Sequence, residues 1–195
     1  MLSGIILSAG ESSRMPGRVK ALLVLNGKTF IENIIENMSN IPLGELILVL
    51  GAHSDEIRDR VKGYKIKIVV NDNWKEGQIE SLRTGIRNLS SKCEGFMFTL
   101  VDHPLVTLFT YKILVEIWVC DKSRIVLPSY NMRKGHPAIF PGFLFDEILS
   151  RKLPGGAREI LKENREIIRF VTVDDPGIVK DIDTIEDYNS LKAQR

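Results

Sequence analysis

GIILSAGESSRMPGRVK, Gly4 to Lys20, is the stretch on which the fold turns. Its first half is a continuous apolar run, not an alternating one, which marks a strand covered on both faces, as in a parallel sheet. The run stops on Ser8, Ala9 and Gly10, residues small enough to let a ligand approach the backbone. In open α/β sheets, ligands bind at the loop that follows such a strand. Ser12 and Ser13 offer hydroxyls, and loop amides can cradle phosphate oxygens. Arg14, Arg18 and Lys20 add positive charge suited to a triphosphate. A plain strand-to-helix loop with solvated cations fits the same spacing. Neither GxxxxGK[ST] nor GxGxxG is present, which excludes a P-loop and a dinucleotide fingerprint.

The same alternation continues along the chain. Further strands are predicted at Glu45–Leu50, Lys65–Val70, Gly95–Val101, Arg124–Pro128 and Ile167–Val173. Thr29 to Met38 places Phe30, Ile31, Ile34, Ile35 and Met38 on one helical face. Ser54 or Asp55 can cap a helix carrying Ile57 and Val61. Ile79, Leu82, Ile86 and Leu89 stripe a third helix, and Leu108 to Val119 forms a fourth. The order predicts an α/β fold: a doubly wound, mostly parallel sheet with helices on both faces. After Pro128, Gly and Pro punctuate the pattern. We read one domain over 1–195, with a substrate-facing subregion at about 129–165.

Composition narrows the function. The chain has 195 residues, 44% hydrophobic and 27% charged, ordinary for a globular protein. The net charge of +2 carries no basic excess, so no nucleic-acid partner is expected. Two distant cysteines, Cys93 and Cys120, exclude a disulfide scaffold. The N-terminal run has no basic leader, and no stretch is long enough to span a membrane. We therefore expect a cytoplasmic protein with no membrane partner.

Two carboxylate stretches complete the picture. Asp102 ends a strand in FTLVDHPLV, where it can hold a divalent cation over a triphosphate or serve as an ordinary turn residue. VKDIDTIEDY brings Asp181, Asp183, Glu186 and Asp187, and Asp183 or Thr184 can form a capping box with Asp187. His53 reads as a loop residue. His103 follows Asp102 in the first stretch, His136 lies apart from both in KGHPAIFP, and no HExxH suggests a zinc hydrolase.

Read together, these motifs resemble the nucleotidyltransferases related to molybdenum cofactor cytidylyltransferase and guanylyltransferase. Leu7, Ala9, Gly10, Ser12, Arg14 and Met15 match the signature L-x-A-G-x-S-x-R-M-x-x-x-K. Pro16 intervenes before Gly17, leaving Lys20 as the best match to the family lysine and Arg18 as its competitor. VDHP resembles the D-x-P metal motif, and DIDTIEDY resembles D-I-D-T-P-E-D-Y with Ile185 for Pro. Gly77, Ser81, Leu82 and Gly85 match a nucleotide-side segment, and Gly135, His136 and Pro137 match a segment near the second substrate. LPGGAREIL resembles G-D-x-G-A-R but carries no Asp.

The resemblance implies a Rossmann-like, glycosyltransferase-A-like nucleotidyltransferase. An acceptor phosphate attacks the α-phosphorus of an NTP and pyrophosphate leaves. It assigns catalysis to Lys20, Arg14 and Asp102, and Mg²⁺ to Asp102 and Asp183. It gives the nucleotide to Leu7, Ser8, Ala9, Gly10, Glu11, Ser12, Ser13, Arg14, Lys20, Ser81 and Asp102, and the acceptor to Gly135, His136 and Pro137. Ala9, where guanylyltransferases tend to carry Gly, favours CTP, with molybdopterin as acceptor and a molybdoenzyme as a further partner. The alternatives are a guanylyltransferase, a sugar- or polyol-phosphate cytidylyltransferase, a molybdenum cofactor carrier without catalysis, and a regulatory nucleotide-binding module.

Overall fold

β1 (Leu2–Ser8) is buried along its whole length in the computed structural model, which describes residues 1–193. A short hairpin follows, β2 (Val24–Leu25) and β3 (Lys28–Thr29), turned by Asn26 and Gly27, both at positive φ. Next come α1 (Phe30–Ser39), β4 (Glu45–Leu50), α2 (Ser54–Arg60), β5 (Lys67–Val70), α3 (Gln78–Arg87), β6 (Gly95–Leu100) and α4 (Leu108–Cys120). The remaining elements are β7 (Ile125–Tyr130), β8 (Arg133–Lys134), β9 (Ala138–Pro141), α5 (Phe145–Ser150), α6 (Ala157–Glu163), β10 (Ile168–Thr172) and α7 (Ile185–Ala193).

The sheet runs β10-β7-β9-β6-β1-β4-β5. β1 pairs in parallel with both β4 and β6. The chain therefore leaves β1 on one side and returns on the other, which makes the carboxyl ends of β1 and β6 the topological switch point. Alternate residues of each strand feed opposite faces. Ile6, Leu48 and Met97 pack with α1, α2 and α4, whereas Ile5, Val49 and Phe98 pack with α3, α5 and α6. Helices on both faces of a mostly parallel sheet are what the apolar runs predict.

Three details depart from that prediction. β9 is a buried strand that the apolar pattern alone did not mark, because its four residues follow Gly135 and Pro137 in a stretch read as irregular. It runs antiparallel between β6 and β7. Neither Ser54 nor Asp55 caps α2. His53, in the left-handed region, precedes it, and Asp55 and Glu56 sit in the first turn, where the helix dipole favours acids. Leu89 lies beyond the end of α3, and Lys65 lies before β5.

The segment from Asp175 to Asp183 is strapped across the carboxyl edge of the sheet. Asp175 accepts from the Thr107 amide and from the Thr107 and Thr110 hydroxyls at 2.6–2.9 Å, capping α4 from a distance. The Ile182 amide donates to the Asp102 carbonyl at 2.8 Å, and the His136 amide donates to Ile178 O at 2.9 Å. A Cβ on Gly135 would stand 1.8 Å from Ile178 O. Gly135→Ala must therefore push the strap away, at a cost of about 1–3 kcal/mol. Thermal denaturation should show a melting temperature lower by roughly 2–4 °C per kcal/mol. An unchanged midpoint would show that the strap yields freely.

Candidate active site

Two cavities open on the switch point. The smaller, about 370 Å³, is lined by the loop Leu7–Arg14, by Lys20, and by Trp74, Lys75, Gln78, Ser81, Asp102 and Asp183. The larger, about 850 Å³, is lined by His103, Arg133, Lys134, Gly135, His136, Arg158 and Asp181, among others. Gly77, Gln78, Leu100 and Asp102 face both.

The loop after β1 owes its shape to local chemistry. Ser12 takes φ 58°, and the Met15 amide donates to its carbonyl at 2.8 Å. Pro16 and Gly17 then form a turn closed by the Arg18 amide on Met15 O at 3.0 Å, with Gly17 at φ 70°. Proline followed by glycine at positive φ is the signature of a type II turn. The Ser12 hydroxyl accepts the Lys20 amide at 3.0 Å, which ties the two ends of the loop together. Met15 is buried under the loop, packed with Phe30, Ile182 and Tyr188, and so locks the loop to α7.

Lys20 points into the smaller cavity. Its Nζ donates to Asp183 Oδ1 at 2.5 Å and lies 3.9 Å from Asp102 Oδ2. Arg14 Nη1 reaches Asp183 Oδ2 at 2.7 Å. Arg18 is exposed and lies outside both linings. The two carboxylates share one ammonium, yet their environments differ. Burial pushes Asp102 above its ordinary carboxylate range, and Oδ1 is sealed with no hydrogen-bond partner. Asp183 is also raised by burial, but the hydrogen bonds and charges of Lys20 and Arg14 outweigh this and hold it low. Asp187 forms the capping box with Thr184: its Oδ2 accepts the Thr184 amide, and its own amide donates to Thr184 Oγ1. The Asp183 carboxylate thereby takes no part in the cap and lines the cavity, where Lys20 and Arg14 hold it.

The eleven residues that the resemblance gives to the nucleotide line one cavity together with Asp183, whereas Leu82 and Gly85 of the matched segment are buried in α3 outside that lining. Ser81 is buried there, and its Oγ accepts from Asn71 at 3.0 Å, so Asn71 holds it in place. Gly135 and His136 line the second cavity, but Pro137 does not: it is buried at the head of β9, packed into the sheet side. Trp74, Lys75 and Gln78 were not foreseen; only their place between Asn71 and Ser81 could have suggested them. Among the described residues, no cluster of three or more His, Cys, Asp or Glu side chains could hold a metal unaided. Two carboxylates would need phosphate oxygens to complete a coordination sphere, the usual arrangement for Mg²⁺.

His136 stacks edge-on against Phe98, with ring centroids 5.1 Å apart. Burial, with His103 beside it, pushes its imidazole down to about 3. The unfolded chain protonates His136 near 6.5. Between these values the unfolded state binds more protons, so stability is full above about 6.5 and is lost as pH falls toward about 3. The melting temperature should drop between pH 7 and pH 5, and His136→Gln should flatten that slope. An equal slope in both proteins would rule the linkage out.

Comparison with known proteins fits this geometry. Residues 4–167 match the MobA-like NTP transferase domain, and the chain belongs to that nucleotidyltransferase family. It is 28% identical over 97% of its length to nicotine blue oxidoreductase of Paenarthrobacter nicotinovorans, spanning 96% of that protein. It is 33% identical over 65% of its length to a probable molybdenum cofactor guanylyltransferase of Natranaerobius thermophilus, spanning only 60% of that relative. Among solved structures, Rv0371c of Mycobacterium tuberculosis H37Rv superposes with TM-score 0.86 at 26% identity, covering 97% of this chain and 96% of that one. That protein has also been solved with manganese. Among the described residues, no helix is long and apolar enough to cross a membrane.

Proposed function

We propose that the chain transfers a nucleoside monophosphate from an NTP to a phosphate-bearing acceptor of the molybdopterin type, with release of pyrophosphate. The observation that carries this reading is Lys20 Nζ set between the Asp183 and Asp102 carboxylates at the switch point, beneath the loop that follows β1. The smaller cavity takes the NTP and the larger the acceptor, within the subregion at about 129–165 of a single domain. Asp102 and Asp183 hold a divalent cation, Mg²⁺ by preference, which would neutralise charge on the phosphates and orient the displacement. Lys20 and Arg14 contact the triphosphate, loop amides donate to its oxygens, and Asp102 marks the meeting point of the two substrates. An acceptor that is already an anion needs no general base, which suits a site without a catalytic triad. The reading places the chain in the cytoplasm, where it could hand its product to a molybdoenzyme.

Ala9 is buried beside the loop and supports CTP, because its methyl group narrows the space a purine would need. Relatives named guanylyltransferase support GTP instead. The deciding measurement is pyrophosphate release with Mg²⁺, molybdopterin and each of the four NTPs, followed by competition of CTP against GTP. CTP should be preferred at least tenfold in kcat/KM, about 1.4 kcal/mol, and Ala9→Gly should shrink the ratio. Equal use, or preference for GTP, removes the cytidylyl reading. NTP binding without pyrophosphate release would favour a carrier or a regulatory module. The relative named nicotine blue oxidoreductase supports a second reading, redox turnover of a heterocycle. Consumption of nicotine blue with a nicotinamide reductant, and no pyrophosphate, would replace transfer with that activity.

A further inference from the structure

His103 and His136 stand together on the wall of the larger cavity, their ring centroids 5.0 Å apart. The His103 side chain is nine-tenths buried. In both rings Nδ1 is sealed from solvent and has no hydrogen-bond partner. Nε2 of His103 lies 3.7 Å from Asp102 Oδ1, beyond hydrogen-bond distance. Nε2 of neither ring is among the sealed, unpartnered atoms, and both residues line the cavity. A pair with a purely structural task would have its polar atoms satisfied inside the protein, because an unpaired buried group costs about 1–3 kcal/mol.

The orphaned Nδ1 atoms also fix the tautomer. A neutral imidazole carries one N–H and one bare lone pair. Proteins leave a buried N–H unpaired more rarely than a buried acceptor. The sealed Nδ1 is therefore the lone pair, and Nε2 carries the hydrogen. Two adjacent rings then bring Nε2–H groups to the cavity wall, which Arg133, Lys134 and Arg158 also line. Paired donors backed by cations suit an anion with several oxygens.

We propose that His103 and His136 form a pair of Nε2–H donors that binds the oxygens of a phosphate monoester in the larger cavity. The assignment rests on that cavity being the acceptor's. It makes the two histidines contact residues for the acceptor, next to Asp102, and leaves the nucleotide to the other cavity.

The chain has three histidines, and the third reports on the other cavity: His53 Nε2 lies 3.3 Å from the carbonyl of Glu11, which lines the smaller one. Imidazole ¹H–¹⁵N spectra of the full chain labelled in histidine therefore read the two cavities separately. Mg²⁺ with α,β-methylene-CTP should shift His53. Inorganic phosphate, added with or without that analogue, should then shift the Nε2–H signals of His103 and His136 together, with one dissociation constant. Acetate at equal concentration should not. His103→Leu, checked for fold by circular dichroism, should weaken phosphate binding read at His136 at least fivefold. An Nδ1–H tautomer in either ring, phosphate shifts confined to His53, or no weakening in His103→Leu would overturn the donor pair, and equal shifts with acetate would overturn the phosphate class. If the nucleotide analogue leaves His53 unmoved, the proposed transfer reading fails on its own, and the phosphate arm still decides the pair.

Discussion

Asp102→Asn should lose most nucleotidyl transfer, roughly 10²–10³-fold, while the protein melts at the same temperature or higher. The loss corresponds to about 3–4 kcal/mol of transition-state stabilisation, the scale expected when a cation loses a ligand. The gain in stability has a separate origin. Burial holds the Asp102 carboxyl above its ordinary range, so the folded chain keeps this proton more tightly than the unfolded chain does. Ionised Asp102 is thus unfavourable to folding at neutral pH, and its penalty fades as pH falls toward the folded value. Asparagine removes the charge and the penalty together. Pyrophosphate release across a Mg²⁺ series, with melting curves at pH 5 and pH 7, tests both halves. A near-normal rate at low Mg²⁺ in both Asp102→Asn and Asp183→Asn would refute the cation assignment.

Lys20→Ala should slow transfer roughly a hundredfold, about 2.7 kcal/mol, because a preorganised cation at the triphosphate is lost. A solvated loop lysine would leave stability untouched. Lys20 is not one: its side chain is 12% exposed and serves two carboxylates. Its removal takes the Lys20 ammonium from beside Asp102 and leaves Asp183 with Arg14 alone, so the melting temperature should also fall by a few degrees. Arg18→Ala, at an exposed turn, should change neither rate nor midpoint. A damaging Arg18→Ala beside a silent Lys20→Ala would move the register of the loop by two residues.

The parallel strands were legible because burial on both faces writes itself as continuous Ile, Val, Leu and Phe. α1 was legible for a different reason: Phe30, Ile31, Ile34, Ile35 and Met38 keep one helical face. β9 was not legible. Four residues, Ala138 to Pro141, carry no periodicity, and they become a strand only because β6 and β7 leave a gap between them. The β2–β3 hairpin was available from the Asn26–Gly27 pair, a strong local turn signal with strands too short to draw notice. On the site side, the loop and both acids stood out as motifs. Trp74, Lys75, Arg133 and Lys134 are brought in by tertiary packing, and nothing in their local sequence tells them from surface residues. The role of Pro16 was also hidden, since a type II turn absorbs it and leaves Lys20 in reach.

β9 runs against its neighbours, and this separates the two halves of the site along the chain. Parallel strands present their carboxyl ends at the working edge, each followed by a crossover helix that fixes its neighbour. A reversed strand presents its amino end there instead, so Gly135 and His136 arrive from the tight β7–β8 turn with no helix between. Residues can be added to or taken from that turn at small entropic cost without moving β1, β6 or any crossover. In the proposed reading, the wall that would meet the second substrate is thus an interchangeable part, and the wall that would meet the triphosphate is built into the frame. If the proposed assignment of the two cavities holds, a lineage with this architecture can change what it modifies one hairpin at a time while the donor side stays fixed.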